Sequence, residues 1–268
     1  MLHRKLPIAA VVATTFVCVP SVDAQVKKSL LFGIDGLGYG EQGFSVANTP
    51  FMDSLINGTW QSGYNGAYSD QAFVGGVLAT PKQQSTVSGP GWSTMLTGVW
   101  RDRHGVNDNG ASFVNGDYAN NPPYLATLKE AIPSLVTASY VNWSPIDANI
   151  IGSIDNDADP TNDPNFHQSY SNDGNVADAA ATGIANIRSL NIDAIFVAVD
   201  EVDGAGHAGG SSSLGYRQAI ETADTQLGQV LTAIADRPNF DQEDWQIVVT
   251  SDHGHRPGGG HGGQTDLE

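Results

Sequence analysis

Four short apolar runs punctuate the chain, each ending near an acidic residue or a turn. They are "SLLFGID" (Ser29–Asp35), "LVTASYV" (Leu135–Val141), "AIFVAVD" (Ala194–Asp200) and "WQIVVTSD" (Trp245–Asp252). Continuous runs of this length fit strands buried on both faces, and so a largely parallel sheet. Between them the period changes. Asn48-Thr49-Pro50 opens a helix through Leu55, with proline in its first turn and Gly58 beyond its end. "SGPGWSTMLTG" predicts a helix with Pro90 in its first turn, running to Thr97 and stopped by Gly98. Val176–Leu190 is Ala-rich and predicts another. The clearest is Tyr216–Ala235, where Tyr216, Ile220, Ala223, Leu227, Val230 and Ile234 share one face. Strands alternating with helices predict an α/β fold, a largely parallel central sheet with helices on both faces. Asn107–Pro123 and Ser144–Gly174 show no periodicity and read as loops on the rim of a site.

Composition changes the picture first at the N-terminus. "MLHRK" is basic, "LPIAAVVATTFVCVP" is apolar, and "VDA" before Gln25 is a small-residue cleavage site. Residues 1–24 therefore read as a secretory signal peptide and 25–268 as one catalytic domain, with the mature protein secreted or periplasmic. Cys18, the only cysteine, lies in the leader behind Val17, where a lipoprotein site favours a small residue. The mature chain is expected to carry no disulfide, no thiolate and no membrane anchor. With 12 Lys+Arg against 29 Asp+Glu, the formal net charge is −17. That field repels polymeric nucleic acid and anionic membranes. An acidic protein acting on a small anionic substrate needs local positive charge, which metal ions supply.

The candidate chemistry collects where the strands end. Asp35, Asp203 and Asp252 follow three of them, and a parallel sheet brings its carboxyl ends to one edge, where ligands bind. His207 comes four residues after Asp203 and His253 directly after Asp252, spacings that suit ligation from a turn. "SDHGHRPGGGHGG" (Ser251–Gly263) holds three of the seven histidines among glycines. Imidazole and carboxylate suit a divalent metal, and glycine lets the backbone bring them close. Read locally, the same stretch also fits a flexible polar tail. Ser88 has two readings as well: a hydroxyl at a helix N-terminus, where the dipole and free N–H groups favour an anion, or an ordinary N-cap. "DNDADPTND" (Asp155–Asp163) alternates acids like a calcium loop, but Pro160 stands where such loops want glycine, so it reads as a solvated acidic loop. His167 reads as loop.

"GIDGLG", "TVSGPGWSTMLTGVWRDRHGVNDN", "DEVDGAGH" and "VVTSDHGHRPGGGHGG" occur in the order found in the alkaline phosphatase superfamily. From Ser29 to His261 the chain resembles its type I phosphodiesterase/nucleotide pyrophosphatase branch. The resemblance implies two divalent metal ions, Zn2+ first and Mn2+ as the alternative. Asp35, Ser88, Asp252 and His253 fall where the family holds one metal; Asp203, His207 and His261 fall where it holds the other. It further implies that Ser88 is a nucleophile forming a phosphoseryl intermediate. Asn109 and the backbone N–H groups after Ser88 would then face the phosphoryl oxygens. His104 would support the site without touching the metals, and His255, without a ligand counterpart, would lie on the rim.

Several departures bear on substrate. A sulfatase would carry arginine four residues after its nucleophile, where this chain has Trp92. A phosphomonoesterase would bring a cationic group to a dianion; Arg101 and Arg103 fall at surface positions of the family pattern. A mutase would carry an inserted cap domain, and the Asn109–Pro145 interval is short for one. Nucleotide-cleaving relatives place an aromatic residue directly after the nucleophile, where this chain has Gly89, with Trp92 or Trp143 as the available substitutes. The chain ends seven residues after His261, where relatives add a further core strand, so it is expected to be part of a longer protein. A non-catalytic metal- or phosphate-binding module is the remaining alternative. It would be expected to have lost a ligand or the nucleophile, and none is lost here.

Overall fold

β4 (Ala194–Val199) is buried at every position, and the sheet extends to either side of it. The computed structural model describes residues 25–39, 43–152, 167–171, 184–188 and 191–263. Among these, β4 joins β1 (Val26–Ile34), β2 (Thr137–Val141), β3 (His167–Ser171) and β5 (Glu243–Thr250). Their order is β3-β2-β4-β1-β5, and every pairing is parallel. Four of the five are the apolar runs read from the sequence. The fifth, β3, lies in the stretch Ser144–Gly174 expected to be irregular, and His167 opens a strand instead of sitting in a loop. "HQSYS" carries no apolar run, and its place among the described strands comes from backbone pairing with β2.

The helices that matter for the site are α1 (Pro50–Ile56), α2 (Ser88–Thr97), α3 (Tyr124–Ala131), α4 (Glu201–Gly209) and α5 (Leu214–Ala235). Alternate residues of β4 serve opposite layers. Ile195, Val197 and Val199, with Leu30, Phe32 and Ile34 of β1, pack against Tyr216, Ile220, Leu227 and Ile234 of α5. Ala194, Phe196 and Ala198 pack against Trp92 and Leu96 of α2 and Leu125 of α3. The result is the expected three-layer sandwich. Gly98, at a φ of 70°, ends α2 as its sequence predicts, and the Ser213 side chain accepts the N–H of Tyr216 to cap α5. α4 differs from expectation: Asp203 and His207 share a helix, not a turn, and i,i+4 spacing puts them on one face. Of the Ala-rich stretch Val176–Leu190, the described residues 184–188 are helical, and Ile187 joins the core on the α5 side. The leader, residues 1–24, and the acidic run Asp155–Asp163 lie outside the described residues.

Phe196 tests the second layer. Its ring is fully buried and meets Trp92 edge-on at 5.7 Å. Phe196→Ala should lower unfolding stability by about 3–5 kcal/mol, through lost burial and an unfilled cavity. Denaturant titration should show this as a lower midpoint with an unchanged slope.

Candidate metal centre and nucleophile

The two edges of the sheet treat charge differently. At the amino-terminal edge, buried Arg237 makes a paired contact with Glu243 (2.8 and 2.9 Å), and buried Lys28 lies 2.7 Å from Asp193. At the carboxyl edge, acids meet imidazoles. β1 delivers Asp35, α4 delivers Asp203 and His207, and the chain leaving β5 delivers Asp252, His253, His255 and His261.

His253 is the hub. Its Nε2 lies 3.2 Å from Asp35 Oδ1, 3.6 Å from Asp252 Oδ2, 3.7 Å from Asp203 Oδ1 and 3.3 Å from Ser88 Oγ. Its Nδ1 lies 3.0 Å from the Gly254 carbonyl, and a proton donated there turns Nε2 toward the acids. Ser88 is the first helical residue of α2; the N-cap is Val87, and no side chain caps the helix. The capping role open to Ser88 is therefore not the one it plays. Its buried hydroxyl faces His253 instead. Asp35 is held from the other side by Trp92, whose Nε1 donates to Oδ2 at 3.0 Å. Asp252 Oδ1 accepts the Gly36 N–H at 3.1 Å.

The second cluster is built around Asp203. His207 Nε2 lies 3.4 Å from its Oδ2, and His261 Nε2 lies 3.5 Å from its Oδ1 and 3.0 Å from His207 Nε2. The glycine run brings His261 back: Gly259, Gly260 and Gly262 all adopt positive φ, which side-chain-bearing residues avoid. The returning imidazole stacks on His253 at 4.0 Å. His255 corrects the sequence reading. It is buried, not on the rim, and its Nε2 lies 2.8 Å from Asp203 Oδ1. Alternation after His253 gives no sign of this, because the space it fills is opened by Gly206 of α4, where a Cβ would lie 2.4 Å from the His255 ring.

These donors fit divalent cations. Asp35 Oδ1 and Asp252 Oδ2 are buried without a hydrogen bond among the described residues. Burial and the nearby Asp35 carboxylate push the Asp252 carboxyl well above its ordinary range. For His253, burial works against the charged form, but Asp252 and Asp35 outweigh it and hold the imidazole up at about 10. Burial and the neighbouring His253 push His261 down to about 4. Carboxylates that lack donors, set among imidazoles that would give up their protons to a bound cation, are the ligand chemistry of a borderline divalent ion. Two groups of such atoms each lie within 4.8 Å of one another: Asp35, Asp203 and His253; and Asp203, His207, His255 and His261.

Asn109 reaches the site through the helix that begins at Ser88. Its Oδ1 accepts the Gly89 N–H at 2.6 Å, so that N–H, expected to face a phosphoryl oxygen, is already engaged. The Gly91 N–H returns to the Val87 carbonyl, and Pro90 has none. A side chain at 89 is excluded, since its Cβ would lie 2.5 Å from the Asp108 carbonyl. The two tryptophans are engaged to different degrees. Trp92 is buried beneath Asp35, and one face of Trp143 is stacked on Phe113 (5.4 Å, 4°). His104 stands away from the ligands, 3.0 Å from Thr94 Oγ1 through Nε2 and accepting the Val106 N–H at Nδ1.

A family model described as type I phosphodiesterase / nucleotide pyrophosphatase matches residues 29–262. Ectonucleotide pyrophosphatase/phosphodiesterase family member 3 of Rattus norvegicus is 25% identical over 183 residues, 62% of this chain and 19% of the relative. The fold is shared with murine ectonucleotide pyrophosphatase/phosphodiesterase 5, solved in complex with AMP. That structure is 19% identical with a TM-score of 0.58, over 85% of this chain and 57% of that one. The human protein of the same description gives 18% and 0.56 over the same shares. The chain therefore spans about a fifth of the curated relative and 57% of each solved one.

Burial pushes the His104 imidazole down to about 4, below an unfolded value of 6.5. The unfolded chain thus takes up this proton first. The stability contributed by neutral His104 is complete above about pH 6.5 and is lost as pH falls toward 4, up to about 3 kcal/mol. Denaturant midpoints of the wild type and His104→Asn should therefore converge as pH falls through that window.

Proposed function

The chain belongs to the type I phosphodiesterase/nucleotide pyrophosphatase family of the alkaline phosphatase superfamily, and on that premise we propose that it is an exported, metal-dependent hydrolase of phosphate diesters and nucleotide pyrophosphates. Export rests on the basic, apolar and small-residue order of residues 1–24. The observation that carries the catalytic reading is Ser88 Oγ, uncommitted to capping and 3.3 Å from His253 Nε2 at the helix N-terminus. The substrate is a small phosphate ester, and the AMP bound by the murine relative supports a nucleotide-sized one.

Asp35, Ser88, Asp252 and His253 would hold one ion and Asp203, His207 and His261 the other, zinc being the best match to mixed carboxylate and imidazole donors. Bound there, the ions supply Lewis acidity, drawing charge from phosphoryl oxygens and lowering the pKa of hydroxyl nucleophiles. Ser88 Oγ gives up its proton and attacks phosphorus, forming the bond to the enzyme as the bond to the leaving alcohol or phosphate oxygen breaks, and that oxygen takes up a proton from solvent. Water then cleaves the phosphoseryl bond and restores the hydroxyl. With Oδ1 anchored by Gly89, Asn109 offers its Nδ2 hydrogens to a nonbridging oxygen. Trp92 keeps Asp35 oriented, and Gly254 keeps the His253 ring turned toward the site.

Ser88→Ala should reduce kcat by about a thousandfold or more with zinc content unchanged, while Ser88→Thr retains part of the activity. A cap alone would cost about 1 kcal/mol of stability and leave turnover near wild type, an outcome that removes the covalent mechanism.

Asn109 donates a neutral hydrogen bond where a dianion favours full charge. Zinc-reconstituted protein should therefore show a higher kcat/KM for a nitrophenyl diester than for the matching monoester. The reverse order would make it a phosphatase.

A further inference from the structure

The second cluster holds one imidazole more than the family pattern provides. His255 is buried, its Nε2 is 2.8 Å from Asp203 Oδ1, and its ring meets His207 at 5.1 Å and His261 at 4.9 Å, nearly perpendicular to both. We propose that His255 is a fourth protein ligand of this metal site, completing the set Asp203, His207, His255 and His261. The inference rests on the metal-dependent reading above.

Three observations carry it. The first is spacing. A tetrahedral ion with bonds of about 2.1 Å needs donors about 3.4 Å apart. Asp203 Oδ2 and His207 stand at 3.4 Å, Asp203 Oδ1 and His261 at 3.5 Å, His207 and His261 at 3.0 Å, and Asp203 Oδ1 and His255 at 2.8 Å. The second is the fixed position of the ring. It is seated against Gly206, where any Cβ would collide with it, and edge-on to Tyr216 at 5.9 Å. The third is direction. Among the described residues the ring's hydrogen-bond contact runs through Nε2, the nitrogen that faces the other donors. One carboxylate and three imidazoles would hold this ion more tightly than the neighbouring set holds its own, because one of that set's four donors is the neutral Ser88 hydroxyl, a weaker ligand. His255 would also fix Asp203, which faces both clusters.

The competing role is positioning alone, with Nε2–H donating to Asp203 beside an ion held by the other three. The test uses the full chain loaded with zinc and titrated with a chromophoric chelator, comparing wild type, His255→Ala and His255→Gln. Ligation predicts two zinc equivalents in the wild type, one resistant to the chelator, and loss of the resistant equivalent in both variants. Loss in His255→Ala restored by His255→Gln, or no change in either, overturns ligation; a positioning hydrogen bond typically accounts for about 10- to 100-fold in affinity. Long-range 1H–15N spectra of the wild-type imidazoles need no variant to fold. Zinc should shift Nε2 of His255 together with those of His207, His253 and His261. A His255 Nε2 that keeps its proton overturns the proposal. A wild type that binds no zinc overturns both this proposal and the metal-dependent reading, whereas unchanged variants beside a zinc-binding wild type overturn this proposal alone.

Discussion

Asp35, Asp203 and Asp252 set three carboxylates around the single imidazole of His253, and the repulsion among them is what the rest of the structure has to contain. Two like charges about 4 Å apart in protein surroundings repel by about 4 kcal/mol, against a net stability of roughly 5–15 kcal/mol for a domain. Protonated imidazole offsets part of this, as the upward shift of His253 shows. Divalent cations would offset more, at the oxygens of Asp35 and Asp252 that have no hydrogen bond among the described residues. The same edge that is poor in stabilising partners is therefore rich in binding capacity.

Bringing these groups together depends on what is absent from neighbouring backbones. Gly91 lets α2 approach the chain after β5, since a Cβ there would lie 2.3 Å from the Asp252 carbonyl. Gly206 does the same for His255. The aromatic residues complete the arrangement: Trp92 holds Asp35, and the Tyr216 hydroxyl donates to the Gly36 carbonyl while accepting the Gly38 N–H. Core packing and ligand positioning are thus carried by the same residues. Trp92 fills the α2 layer with its ring and orients a carboxylate with its nitrogen.

Substrate recognition is constrained by the same close packing. The 108–109 backbone lies where a side chain at 89 would go, and in exchange Asn109 is anchored on the helix that begins at Ser88. Position 89 carries no aromatic residue on which a base could stack, so any preference for nucleotides must come from another surface.

By itself the sequence determined the layer order, four of the five strands, the helix that presents Ser88 and the convergence of Asp35, Asp203 and Asp252 on one edge. These follow from apolar periodicity, proline and glycine punctuation and the rule that parallel strands end together, all of which act over a few residues. Tertiary structure alone decided the rest. β3 carries no apolar run, and its place comes from backbone pairing with β2. Ser88 could be read as a cap until its hydroxyl met His253, 165 positions away. His255 became buried through a glycine on another element, and the Trp92 indole became a hydrogen-bond donor to a carboxylate 57 positions before it. Contacts of this kind depend on the distance between elements packed to van der Waals contact, a quantity that no local pattern of residues encodes.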